Sequence, residues 1–215
     1  IKEDRSSKPL PAGRLNREGE SLLYTSPETA SIAIEEMKIK DDRDFSLIVY
    51  EALEPIKATP IGIKEYIRDS PLTRDYSTDE ILKLEMFQSF LKREFMRDVG
   101  CGTEYLYKIS ESIVKDYFDL PPSKQDAWLY PSVAAKNGAN NVCFRPSARQ
   151  KLRLVGVQIT TIKRDGEGYK FYPKVIAMDS GNGNDLSYHR IGSPEQKALF
   201  PEIKLKIDEH NYSCS

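Results

Sequence analysis

Apolar positions along this chain come in short blocks whose period changes from one to the next. A polar, proline-bearing arm over residues 1–12 precedes the first block, Ser21-Leu22-Leu23-Tyr24-Thr25, which predicts a short strand. Ser26-Pro27-Glu28-Thr29 carries the marks of a helix start: a serine N-cap, a proline at the first helical position and an acid in the first turn. The expected helix runs from Pro27 to about Lys38. Phe45 to Tyr50 is rich in β-formers and predicts a strand. Residues 55–76 hold Pro55, Pro60 and Pro71 and predict irregular chain with a short turn of helix. Ser77-Thr78-Asp79-Glu80 opens a second helix, with Ile81, Leu84, Phe87, Phe90 (or Leu91) and Phe95 at helical spacing as far as Met96. A third is expected from Glu104 to Tyr117, with Leu106, Ile109, Ile113 and Tyr117 on its apolar side. Ala127 to Tyr130 and Asn141 to Phe144 predict two short strands around a turn-rich loop. Leu152 to Ile162 and Tyr169 to Ala177 alternate with period two, on either side of the hairpin signature Asp165-Gly166-Glu167-Gly168.

This order gives an α+β class, a mixed sheet core with flanking helices, rather than a regular β-α-β alternation. The chain has 215 residues, enough to bury a core without staples. Lys and Arg number 32 against 33 Asp and Glu, a net charge of −1, which excludes a broad nucleic-acid-coating surface and leaves room for one small basic pocket. Cys101, Cys143 and Cys214 are odd in number and far apart, so they form neither a disulfide framework nor a zinc pair. They point to a reducing, cytoplasmic setting, with Cys143 in the core. No apolar run approaches the roughly 18–20 residues of a membrane span.

Several chemistries are missing from the residues. There is no glycine-rich dinucleotide loop and no P-loop. The two histidines, His189 and His210, lie in a polar C-terminal region as surface residues, which leaves no metal site and no histidine triad. What remains is Arg, Tyr, Ser and carboxylate chemistry. Arg14 stands beside Gly13, where a guanidinium can fork an anion or simply be solvated. Tyr24 ends the first strand pattern and is by default a sheet aromatic. On the first helix, Ala30, Ala33, Ile34 and Met37 form one apolar face, and Glu35 lies on a second, partly apolar stripe between Ile32 and Ile39. There it is a partly desolvated carboxylate or a surface partner of Lys38. Ser132 follows Tyr130-Pro131 in the loop between two strands.

Together these residues resemble the RES domain, a family named for its Arg, Glu and Ser. Gly13-Arg14-Leu15-Asn16-Arg17-Glu18-Gly19 is similar to the opening segment of that family, Leu23-Tyr24 to its second element, and Ser26-Pro27-Glu28-Thr29-Ala30 to its helix start. Glu35, eleven residues after Tyr24, falls where the motif glutamate stands, and Tyr130-Pro131-Ser132 with Asn141-Val142-Cys143-Phe144 is similar to the ending that carries the serine. The likeness covers residues 12–146, with Leu15 departing from a larger aromatic and Ile34 from a small residue. It divides the chain into an arm (1–12), a catalytic domain (13–160, with an insertion at about 55–125) and a β-rich extension packed on that domain (161–215). The start at Ile1 rather than Met suggests a catalytic domain from a longer chain.

The resemblance implies an ADP-ribosyltransferase-like cleft and an enzyme that consumes NAD by cleaving the nicotinamide–ribose bond. It acts as a glycohydrolase or, with phosphate as co-substrate, a phosphorylase. Transfer of ADP-ribose to a protein and a silent nucleotide- or partner-binding domain are the alternatives. NAD is then substrate and no prosthetic group is needed. Partners are NAD and a cognate antitoxin that blocks a toxin's cleft, with no direct nucleic acid and no membrane. By the same resemblance Glu35 stabilises the oxocarbenium-like ribose, and Arg14 holds pyrophosphate or phosphate. Tyr24 borders the nicotinamide, Ser132 hydrogen-bonds a phosphate or ribose oxygen, and Asn141 supports the site.

Overall fold

A computed structural model describes residues 10–27, 29–68, 70–134, 138–166, 168–180 and 185–201. Most of the leading arm, Glu28, the loop over 181–184, His210 and Cys214 lie outside the described residues. The chain divides into two compact units: residues 1–37 with 54–151, and 38–53 with 152–215. Both contain a four-stranded sheet. With the helices of the first unit this makes a mixed α+β protein.

The first unit holds strands β1 (Leu23–Thr25), β3 (Ala58–Pro60), β4 (Ala127–Pro131) and β5 (Asn140–Phe144), in the order β1-β5-β4-β3. β5 is antiparallel to both its neighbours, and β3 runs parallel to β4. Register decides which side chains share a face, because directly paired residues point the same way and alternate along each strand. Tyr24 pairs with Cys143, Cys143 with Trp128, and Asn141 with Tyr130. One face therefore carries Tyr24, Cys143, Asn141, Trp128 and Tyr130. The bond from Ser132 N to Ala139 O (2.9 Å) extends the ladder one step past β4.

That face is covered by helix α3 (Thr78–Phe95) and by a helical stretch over 104–118. Ser77 caps α3 reciprocally with Glu80, a purely local signal that the sequence makes plain. Leu91 and Phe95 from α3 join Leu15, Ile61, Val114, Trp128, Tyr130 and Cys143 in the core. Phe87, expected on the apolar side of α3, is instead 47 % exposed, and of the alternatives Phe90 and Leu91 it is Leu91 that is buried, with Phe90 42 % exposed. The inward positions run Ile81, Leu84, Gln88, Leu91, Phe95, which turns the two phenylalanines outward. The stretch 104–118 changes pitch twice: a 3-10 turn (Glu104–Leu106), then α4 (Tyr107–Ile113), then a π turn (Val114–Phe118). The buried side runs through Ser110 and Val114, one helical turn apart, so Ile109 and Tyr117, expected inward, lie exposed. Trp128 sits between the cations Lys115 and Arg145, 5.5 and 5.4 Å from its ring, and donates its indole N–H to Phe118 O at 2.8 Å.

Residues 55–125 were expected to be an insertion, yet they supply β3, the short helix α2 (Glu65–Arg68) and four core residues, Ile61, Leu91, Phe95 and Val114. They are part of the fabric of this unit. Burial pushes the Cys143 thiol up to about 12, so it stays protonated in the core.

The second unit is an antiparallel sheet, β2-β6-β7-β8, of β2 (Phe45–Ala52), β6 (Leu152–Asp165), β7 (Gly168–Asp179) and β8 (Leu186–His189). The hairpin expected at Asp165-Gly166 closes β6 onto β7, with Asp165 opposite Gly168. Pro173, which has no N–H to donate, lies opposite Thr160 where the ladder shifts register. Helix α5 (Pro194–Leu199), capped by Ser193, carries Leu199 onto Ile176 and Phe200 in the core. The expected boundary at residue 160 falls inside β6. That strand runs unbroken to Asp165 and pairs with β2 along residues 45–52, so 152–160 belong with 38–53 and the C-terminal residues.

Candidate functional site

The segment Gly13-Arg14-Leu15-Asn16 folds as a tight loop held at both ends. Asn16, 5 % exposed, donates its amide to Pro11 O and Arg17 O, both at 3.0 Å. Its Oδ1 accepts from the Tyr24 hydroxyl at 2.8 Å, and that hydroxyl accepts from Leu15 N at 3.2 Å. A Cβ at Gly13 would lie 2.4 Å from Asn16 Oδ1, so only glycine lets the loop close over its clamp. Leu15 is anchored in the core, and Arg14 projects between two fixed residues. Its Nη2 donates to Arg97 O at 2.8 Å, just past α3, and its guanidinium lies 5.5 Å from the Tyr107 ring. One of five N–H donors is thus spent on positioning.

Tyr24 has a structural hydroxyl and an open ring. Burial and the adjacent Cys143 push its pKa upward, against the pull of the Leu15 N–H, so it is no proton donor at ordinary pH. Since the hydroxyl is tied to Asn16 and Leu15, the 40 % of its surface that stays exposed leaves ring area open. Tyr130 meets it edge-on, with ring centroids 6.5 Å apart.

Helix α1 (Ala30–Glu36) begins three residues later than expected and is capped at Thr29 without a side-chain bond. Ser26, the expected cap, instead donates its hydroxyl to Asn141 Oδ1 at 2.8 Å. Asn141 passes this on, donating Nδ2 to Glu36 Oε1 at 2.7 Å. The same oxygen accepts from Ser132 Oγ at 2.5 Å and from Val133 N at 3.1 Å. These bonds go to Glu36, the residue after Glu35. Glu36 lies one turn beyond the buried Ile32, and that spacing is the sequence signal that marks it. Met37, expected on the apolar face, is 72 % exposed, while Ile32 and Ile34 are buried.

Three donors converge on Oε1, and among the described residues none is assigned to Oε2 of Glu36. Ser132 and Asn141 are 1 % and 4 % exposed, so the carboxylate is held by buried partners. Tyr130 links the two halves of the site. Its hydroxyl is raised well above the ordinary value, first by burial and then by Tyr24, Cys143 and the charge of Glu36, while the charge of Arg14 works the other way. Both charges act on this one ring.

Of the five expected residues, Tyr24 meets the Tyr130 ring and the charge of Arg14 acts on it, while Ser132 and Asn141 meet around Glu36. Glu35 is half-buried on the same helix. Among the described residues no cluster of three or more metal-ligating side chains occurs, and no helix is long and apolar enough to cross a membrane. No family model matches the chain, and neither a curated protein nor a solved structure does.

Proposed function

We propose that this protein consumes NAD, cleaving the bond between nicotinamide and ribose in an ADP-ribosyltransferase-like cleft. The observation that carries the proposal is the Glu36 carboxylate, fixed at Oε1 by Ser132, Asn141 and Val133, with Oε2 left for a ligand. Two tyrosine rings and an arginine complete the set. The RES-like motif order supports the same reading, with Glu36 rather than Glu35 as the working carboxylate.

The chemistry suits these groups. Nicotinamide leaves as a neutral base: the C1′–N bond breaks, its electron pair stays on the ring nitrogen, and no general acid is needed. The ribose becomes oxocarbenium-like at C1′, as in glycoside cleavage. A fixed carboxylate opposite that developing charge contributes about 3–4 kcal/mol when preorganised. Arg14 holds the pyrophosphate through the donors that Arg97 O leaves. The exposed Tyr24 ring borders the nicotinamide. Water or phosphate then attacks C1′. Water gives ADP-ribose and a released proton, and phosphate gives phosphorylated ADP-ribose.

Product analysis on purified protein, with and without phosphate, tests this. Release of nicotinamide is expected, with Glu36→Gln slowing it about 100- to 1,000-fold and Arg14→Ala weakening NAD binding. NAD left intact under both conditions overturns the proposal. Loss of activity in Glu35→Gln with none in Glu36→Gln returns the role to Glu35. Label from NAD appearing on protein favours ADP-ribosyl transfer. As a toxin, the protein would slow growth on cytoplasmic expression, and Glu36→Gln would relieve the effect.

A further inference from the structure

A second concave surface lies on the first unit and shares no lining residue with the Glu36 cluster. It is a groove of about 420 Å³ between the turn at Gly62 and the C-terminal half of α3, lined by Lys64, Gln88, Ser89, Lys92 and Arg93 among others. The turn and the helix touch closely. A Cβ at Gly62 would stand 2.8 Å from Lys92 Cα, Gly62 has φ +72°, and its N–H donates to Gln88 Oε1 at 2.6 Å. The floor of the groove is therefore backbone pressed on helix, and the approach brings Lys64 towards Lys92 and Arg93.

All three charged side chains lining this groove are cations, and among the described residues no carboxylate lies within ion-pair distance of any of them. Elsewhere in the same unit Arg17, Lys115, Arg145 and Lys151 each face a carboxylate oxygen at 2.5–3.1 Å. The α3 dipole accounts for Lys92 and Arg93 in the last turn, since cations are favourable there. It does not account for Lys64, which comes from another part of the chain. Three unpaired cations around one concavity repel one another until an anion joins them. The volume lies within the usual range for small-molecule sites, roughly 300–1,000 Å³.

We propose that this groove binds a ligand presenting a phosphate or pyrophosphate group. Lys64, Lys92 and Arg93 supply the charge, and the lysine stems supply apolar contact beside it. The inference is independent of NAD consumption.

Calorimetric titration with inorganic pyrophosphate tests it, beside co-sedimentation with phosphatidylcholine vesicles carrying phosphatidylinositol phosphate. The expected result is that one probe binds, about tenfold more weakly in Lys92→Gln and about a hundredfold more weakly in Lys64→Gln/Lys92→Gln. Lys163→Gln, an exposed cation of the other unit, should leave binding unchanged. Pyrophosphate binding assigns the phosphate to a soluble molecule and vesicle binding to a lipid headgroup. Thermal melts establish that the variants fold, and Arg93→Gln replaces the pair should it melt early. Failure of both probes overturns the proposal. So does binding that survives the paired substitution or that Arg14→Ala abolishes in its place.

Discussion

Glutamine at position 36 keeps the shape of the side chain and removes its charge. In the parent, Oε1 accepts three hydrogen bonds, from Ser132 Oγ, Val133 N and Asn141 Nδ2. A bond to a charged group contributes roughly 1.5–3 kcal/mol and a neutral one roughly 0.5–1.5 kcal/mol, so converting three costs about 3 kcal/mol. Water cannot take over for Ser132 or Asn141, which are almost fully buried. In a chain of this size about 1 kcal/mol moves the melting temperature by roughly 2–4 °C, so Glu36→Gln should melt about 6–12 °C lower. Differential scanning calorimetry reads this without any knowledge of a substrate. Glu36→Ala, which leaves all three donors unmet, should fall further. A Glu36→Gln melt within about 1 °C of the parent refutes the convergence of three bonds on one oxygen.

Asp126 contributes to the pH dependence of the first unit. Burial raises its pKa, but the Lys57 N–H at 2.8 Å and Lys151 Nζ at 3.1 Å outweigh that and hold it below its ordinary value. A carboxyl depressed on folding stabilises above its unfolded value, about 4, and that stabilisation is lost as pH falls through the folded value. Urea midpoints should therefore decline from about pH 4 downward, and Asp126→Asn should lower the midpoint at neutral pH and flatten that decline; an equally steep decline in the variant refutes the assignment. Gly62→Ala places a methyl 2.8 Å from the Lys92 backbone at φ +72° and should cost about 2–4 kcal/mol in urea unfolding, so a parent-like midpoint argues against the close crossing.

Features set by neighbouring residues were legible in the sequence. The capping box of α3 and the turn between β6 and β7 both lie within four residues, and the structure contains both. Features set by distant partners were not. Ser26 has every local attribute of an N-cap, but its hydroxyl donates to Asn141, 115 residues away, and α1 starts at Ala30. Glu35 and Glu36 lie on either side of the Ile32 direction on the helix, and only the positions of Ser132 and Asn141 decide between them. On the stretch 104–118 the packing partners select Ser110 and Val114 as the buried side, one residue round from the expected Ile109 and Ile113. Ser132 and Asn141 were legible through their motif. Their joint acceptor was not, because a hydrogen bond across two strands and a helix leaves no trace in spacing.

Synthesis from the N-terminus gives the β1–β5 pairing a further consequence. Arg14, Tyr24 and Glu36 emerge early, while Ser132 and Asn141 follow Glu36 by 96 and 105 residues. At roughly 5–20 residues per second that interval is about 5–20 s. Throughout it β1 has no partner strand and the Glu36 carboxylate no donors from the loop after β4. A chain stalled or cleaved before β5 lacks Asn141 and the partner strand of β1, while the Arg14–Arg97 and Tyr24–Asn16 contacts are already encoded. The Glu36 cluster therefore closes in one late step, when Ser132 and Asn141 have both emerged.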